Sequence, residues 1–523
     1  MSEAVSPGPE RRKLLLIGWD GAGWDEIHPL LDSGEMPNLN RMVESGVMGR
    51  MATLTPAISP ILWTSVATGQ TADRHGILDA VEPDPVTGGV RSITRASLQT
   101  PAVWDILANQ GLRCHVVGWP VTHPAKDCGG ACVSDGFVHS VPGSISPETL
   151  EQELTSLRFS PQEWTGEELR LFDQDADKRL AQLAVILAEA ASVQAAATFL
   201  MEAEPWDLSA VWFGAIGRAC RVFPSDTDAI YSEVVRGIYR FLDLLLGRLM
   251  QLAGPDAQVM LVSNRDSRNQ SVRTTSDATL KSMEDLIGQN PRGIFCATGP
   301  GVARDEMMFG AGLLDLAPTV LGFFGFAPAP GMRGQPISEV YTRGTCAPSE
   351  PAMNGPASDA SRQAAEDIAD LEALGYTDTV ASQRQLQVRE ARTRRLYNLA
   401  LVLLSRQAGA EAIAPLKQIV RENSGRLDIQ FQLAHAYFQS GNLDECRDLC
   451  EQMLARFTAG AADARTSRDR RRRPGWSCTA PGRGARYLRS CRCSGLRHRP
   501  RLPADRAMGR SGACIPIRRR RKA

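Results

Sequence analysis

Residues Lys13–Gly18 (KLLLIG) form a nearly uncharged apolar run that leads straight to Asp20. An apolar run without polar alternation reads as a strand buried on both faces, as parallel strands inside α/β sheets are. Further short strands are predicted at Arg113–Val117, Ser209–Phe213, Val259–Ser263 and Gly293–Thr298. Helical patterns lie between them at Trp24–Leu31, Pro37–Glu44, Pro60–Ala67, Pro101–Gln110, Asp226–Leu252 and Leu313–Phe324. Strands alternating with helices predict a doubly wound α/β sheet, with functional side chains at the carboxyl ends of strands. Asp20 sits at such an end. Ser59 is predicted to N-cap the helix that Pro60 starts, where free N–H groups and the helix dipole favour an oxyanion.

The chain has 523 residues, too many for one ordinary domain. Its formal charge of zero conceals an asymmetry: residues 461–523 carry 19 Arg and 1 Lys against 3 Asp, a net +17, and the rest carries −17. Residues 1–12 are polar and expected to be disordered, without the apolar core of a secretory signal. Residues 13–342 hold the α/β pattern, and residues 343–390 form a Pro/Ser/Ala/Gly-rich linker with a helical end. From 391 to 457 the chain repeats at an offset of 34: Leu399 with Leu433, Ala400 with Ala434, Leu403 with Tyr437, Ala412 with Cys446, Leu416 with Cys450, Val420 with Leu454. That period predicts a small all-α segment of tetratricopeptide repeats, a surface for a protein or peptide partner.

Residues 458–523 form a basic, low-complexity tail that begins where a third repeat is due. Three readings stay open for it: a frame-shift product of a further repeat, inert disorder, or a basic arm, the one part of the chain suited to nucleic acid. No uncharged apolar run reaches the roughly 18–20 residues of a membrane span. The nearest, Ala181–Leu200, contains Glu189 and reads as a buried helix. The 12 cysteines show no paired spacing, which fits free thiols in a reducing cytoplasm.

The stretch from Trp19-Asp20-Gly21 through the Pro37-Asn38-Leu39 helix, the nucleophile segment at Ser59-Pro60, Thr68-Gly69 and His75-Gly76-Ile77 resembles the alkaline phosphatase superfamily, specifically its type I phosphodiesterase/nucleotide pyrophosphatase branch. GWPVTHP (118–124), VSDGF (133–137), GIFCATGPG (293–301) and DLAPTVLGFFG (315–325) extend the resemblance to residues 13–340. The resemblance implies a mixed α/β sheet and phosphoester hydrolysis by a Ser or Thr nucleophile, here Ser59, with two divalent metals. It implies Asp20 as a metal ligand and His75 as a turn-shaping residue.

The rest of the metal site does not carry over. Where the family places Asp and His four residues apart, this chain has Gly217 and Arg221. Where it places Ser-Asp-His-Gly, this chain has Ser263-Asn264-Arg265-Asp266; where it places a last His, the nearest match is Asn290; and its phosphate-contacting Asn falls on Ala80. Asp266 replaces the lost Asp only if its loop slides by two residues. Arginine can hold a phosphate but cannot readily activate a serine. The expectation is therefore a pseudo-phosphodiesterase, a binding or scaffold module with no cofactor, in which Ser59 is vestigial and Arg221 and Arg265 bind a phosphate-containing ligand. The alternative is an active phosphoesterase that uses Ser59 with zinc or manganese.

Overall fold

The computed structural model describes residues 12–160, 174–224, 229–267, 292–341, 381–422 and 426–455, all in one compact unit that runs to Thr458. Asn290, residues 342–380 of the linker and the basic tail lie outside the described residues. The strands are β1 (Lys13–Trp19), β2 (Val47–Ala52), β3 (Val81–Pro83), β4 (Val90–Ser92), β5 (Cys114–Val117), β6 (Gly129–Val133), β7 (Ile145–Ser146), β8 (Leu208–Phe213), β9 (Ala257–Val262), β10 (Arg292–Thr298) and β11 (Glu306–Met308). Among the described residues, one sheet runs β11-β2-β10-β9-β1-β8-β5-β6-β7, and β3 and β4 make a separate hairpin. Its centre, β9-β1-β8-β5-β6, is parallel. Strand β10 runs antiparallel to β9 and β2, and β7 antiparallel to β6, so the sheet is mixed outside its parallel centre.

The α/β helices are α1 (Trp24–Asp32), α2 (Pro37–Ser45), α3 (Ser59–Thr68), α4 (Ala72–His75), α5 (Val103–Asn109), α6 (Glu151–Ser156), α7 (Gln174–Ala203), α8 (Ala215–Val222), α9 (Ala229–Ala253) and α10 (Leu316–Phe323). They cover both faces of the sheet. Leu15, Ile17 and Trp19 of β1 join one core with Ile27 of α1, Leu39 of α2, Leu200 of α7, Ile216 of α8 and Leu242 of α9. Leu14 and Leu16 join the other with Trp63 of α3, Leu107 of α5 and Leu321 of α10. A strand pleat sends alternate side chains to opposite faces, so an unbroken apolar run is what a two-sided core requires of β1.

Helix α7 is long and apolar enough by composition to cross a membrane over Lys178–Ala203. Its apolar residues Ile186, Ala190, Val193, Ala197 and Leu200 are packed in the first core, which accounts for them as the sequence reading expected.

Beyond the linker come α11 (Ala381–Ser405), α12 (Gly409–Glu422), α13 (Leu427–Gln439) and, over residues 443–455, α14. Ala400, Leu403, Ala412, Leu416, Leu433 and Tyr437, all members of the offset-34 pairs, form their shared core. Gly441 turns α13 into α14 at φ +79°, a left-handed conformation that costs glycine nothing.

His115 on β5 is 1% exposed, and neither ring nitrogen has a hydrogen-bond partner. Burial, helped by nearby Arg113 and opposed by Asp207, pushes its pKa down to about 4 from 6.5. The folded state thus keeps this ring neutral where the unfolded chain would protonate it. Stability is complete above pH 6.5 and is lost as pH falls towards 4, by an amount on the order of 3 kcal/mol. Chemical denaturation between pH 7 and 4 should show this decline, and His115→Leu should make it shallower by about that amount.

Candidate functional site

Strand β1 lies between β9 and β8, so the carboxyl ends of all three open onto one place. Asp20 follows β1 and is 3% exposed. Its backbone is fixed from the β8 side: Asp20 N–H donates to Phe213 O (2.9 Å), and Gly217 N–H donates to Asp20 O (2.8 Å). Its carboxylate Oδ1 accepts three hydrogen bonds, from Ser59 Oγ (2.7 Å), Trp63 Nε1 (2.9 Å) and Asn264 Nδ2 (2.8 Å). The sequence-predicted pair Asp20 and Ser59 is therefore in direct contact.

The local reading of Ser59 needs correction. Helix α3 begins at Ser59, after Ile58, and no side chain caps it. The hydroxyl expected to bond a free N–H of the helix is given to Asp20 instead. A capping serine accepts an N–H through its oxygen from the position before the helix; here Ile58 holds that position, and Ser59, inside the helix, donates its O–H to the carboxylate. Trp63, one turn further, packs edge-on against Trp119 (5.3 Å, 87°) and Trp212 (6.1 Å, 85°), which holds its indole N–H on the carboxylate.

Arginines gather around this carboxylate. Arg265, just past β9, is 4% exposed and donates from a terminal guanidinium nitrogen to Ala57 O (2.6 Å), two residues before Ser59. Burial lowers its pKa, Asp20 works against that, and Arg221 adds to it. Arg221 is exposed on α8 and stands within electrostatic reach of both Arg265 and Arg218. Arg218 was not singled out by the sequence reading. It pairs with the buried Glu189 of α7, and burial first, then Arg221, bring its pKa down to about 10 against the pull of Asp20. Its signal in the sequence was present: it lies three residues before Arg221, on the adjacent turn of one helix.

Asp266 is placed differently. Its Oδ2 lies 2.2 Å from where a Gly23 Cβ would be, at the start of α1, and its charge acts on the Tyr239 hydroxyl that accepts the Gly23 N–H (3.1 Å). His75 is fully buried, with Nε2 3.0 Å from Ser65 Oγ and Nδ1 accepting the Ile77 N–H (3.2 Å). Burial outweighs the attraction of Asp73 and pushes its pKa down to about 3, so it is a neutral ring that shapes the turn at Gly76.

The donor set does not fit the family's two-metal centre. Asp20 Oδ1 is occupied by three protein donors. Gly217 offers no side chain, and a Cβ built there would lie 2.5 Å from Asp20 Oδ2. Asn264 uses its amide on Asp20 and on the Gly21 N–H, and Arg265 is a cation. Among the described residues no group of three or more His, Cys, Asp or Glu could hold a metal ion. Gly217→Ala should therefore destabilise the domain by about 1–3 kcal/mol, the cost of overpacking, although alanine is the better helix former. Denaturant unfolding followed by Trp63 fluorescence would measure it; an unchanged or higher midpoint would show that Asp20 yields freely.

Residues 14–265 match the family model "Type I phosphodiesterase / nucleotide pyrophosphatase", and residues 403–465 match a tetratricopeptide repeat model. No curated protein matches the chain. Among solved structures, phosphonoacetate hydrolase from Sinorhizobium meliloti 1021 is 17% identical over 49% of this chain, with a TM-score of 0.34. The chain spans just over half of that enzyme, 56%. Human ectonucleotide pyrophosphatase / phosphodiesterase 5 is 13% identical over 62% of this chain and 97% of its own, with a TM-score of 0.40. Its murine counterpart, an inactive form in complex with AMP, is 11% identical over 61% and 96%, with a TM-score of 0.39. The chain thus joins a region similar to type I phosphodiesterases / nucleotide pyrophosphatases, over residues 14–265, to a tetratricopeptide segment.

Proposed function

We propose that this protein is a pseudo-phosphodiesterase: it binds a phosphate-containing ligand beside Ser59 and does not hydrolyse it, and its tetratricopeptide segment serves a protein or peptide partner. The observation that carries this reading is Arg265. Its guanidinium reaches from the end of β9 to the carbonyl of Ala57 while sharing the field of Asp20. In this reading it is a fixed cation that takes the place of a metal ligand of the family. A guanidinium presents paired N–H donors that suit a phosphate oxygen edge. It does not lower a serine hydroxyl's pKa as a divalent metal does. In this reading Arg221 and Arg265 receive the anion with Arg218 beside them, Ser59 is a hydrogen-bonding remnant of the nucleophile, and Asp20 is their counter-charge. Asp266 supports the turn at Gly23 and holds no metal.

The buried free thiols Cys114, Cys128, Cys132 and Cys296 are compatible with a reducing, cytoplasmic setting.

One observation favours a second reading. The 2.7 Å bond from Ser59 to Asp20 keeps a nucleophile hydroxyl against a carboxylate, as an active phosphoesterase loaded with zinc or manganese would need. Calorimetric titration of the full chain with inorganic phosphate should detect binding, and Arg265→Gln should weaken it about tenfold or more, as losing a charged hydrogen bond of about 1.5–3 kcal/mol implies. Bis-(p-nitrophenyl) phosphate with added zinc or manganese should not be turned over. Metal-dependent turnover that vanishes in Ser59→Ala would replace the first reading with the second.

A further inference from the structure

Helix α11 is more than the first helix of the repeat segment. Its residues Ala400, Leu403 and Leu404 face the repeat core. A second stripe, spaced four residues apart on the helix and just past its end, consists of Arg394, Asn398, Val402 and Arg406, and it meets the α/β domain. Arg394 Nε lies 2.8 Å from Asp79 Oδ2, and Arg406 pairs with Asp73. Asn398 Nδ2 donates to Leu78 O (2.7 Å), and Arg395, beside the stripe, lies 3.6 Å from Glu82 Oε2. Between these polar contacts Val402, 3% exposed, enters a small apolar cluster with Ile61, Ala72, Ile77 and Val121. Every carboxylate in this seat belongs to residues 73–82.

That segment is the one that supports the nucleophile helix. Ile61 lies on α3, two residues after Ser59. His75, inside the seat segment, is 3.0 Å from Ser65 Oγ of the same helix. We propose that α11 is a clamp on the nucleophile helix: its docking orders residues 72–82 and, through His75 and Ile61, α3 with Ser59, so that the tetratricopeptide segment and the Asp20–Ser59 site are one coupled unit. The coupling has a physical carrier at each step, a buried valine, three ion pairs and one side-chain hydrogen bond on one side, and a hydrogen bond and an apolar contact on the other. In two of the three ion pairs both partners are largely shielded, and salt weakens most the more exposed Arg394–Asp79 pair.

The test is hydrogen–deuterium exchange on the full chain, which does not depend on any ligand being bound. Arg394→Glu with Arg406→Glu should release α11 and raise exchange in peptides covering 59–82 at least tenfold, while β1 and β9 keep their protection. Adding Asp73→Arg and Asp79→Arg should restore the protection of 59–82. Exchange in 59–82 that stays slow while 381–405 becomes fast would overturn the proposal, because the nucleophile helix would then be indifferent to the clamp. If the reversed charges unfold the whole chain, seen as lost protection in β1 and β9, Asn398→Ala takes their place. It removes one hydrogen bond and should raise exchange in 59–82 about threefold; no rise there overturns the proposal equally.

Discussion

The buried carboxylate of Asp20 is the interaction on which the site depends. Its Oδ1 collects donors from α3 twice and from the loop after β9 once, segments 39, 43 and 244 residues away in sequence. Burying a carboxylate without hydrogen-bond partners is costly. Three hydrogen bonds together with the field of Arg265 and Arg218 supply that compensation from the chain itself. The same contacts fix where Ser59 points, because its hydroxyl has been enlisted in holding the carboxylate. Asp20 and Ser59 are thereby parts of one hydrogen-bonded cluster.

Gly217 and Arg265 belong to the same arrangement. A side chain at 217 would collide with Asp20 Oδ2, so the glycine gives the carboxylate room to turn towards Ser59, Trp63 and Asn264. The guanidinium of Arg265 then bridges to the nucleophile segment and brings positive charge with it. The two departures from the family pattern are thus complementary: one clears space beside the carboxylate, and the other supplies the charge it needs.

Much of this was legible in the chain. The run Lys13–Gly18 announces a strand buried on both sides, and β1 is one; the offset-34 pairs announce the repeat core, and Leu403 and Tyr437 occupy it. The proximity of Asp20 and Ser59 followed from strand-end placement. The role of the Ser59 hydroxyl did not, because a capping preference is local and the carboxylate that overrides it lies 39 residues earlier. The role of Arg218 was not legible, because its ion pair with Glu189 is a tertiary contact between α7 and α8. The stripe at 394, 398, 402 and 406 has a plain helical spacing, yet a repeat search looks only for the face that recurs every 34 residues. A helix that buries two faces against two different bodies hides one pattern beneath the other.

The two groups of arginines differ in what surrounds them, and that difference bears on what each can do. Arg394, Arg395 and Arg406 each meet a carboxylate of their own, Asp79, Glu82 and Asp73. Such pairing holds one surface to another and leaves little attraction for a third charge. Around Ser59, Arg218 also meets a carboxylate, Glu189, but the guanidiniums act on one another as well: Arg221 lowers the pKa of both Arg218 and Arg265. Like charges held near one another repel, and on the proposed reading a bound anion would offset that repulsion. On the proposed reading the chain uses one residue type for opposite ends, paired charge where α11 meets the α/β domain and clustered charge where a phosphate group would bind.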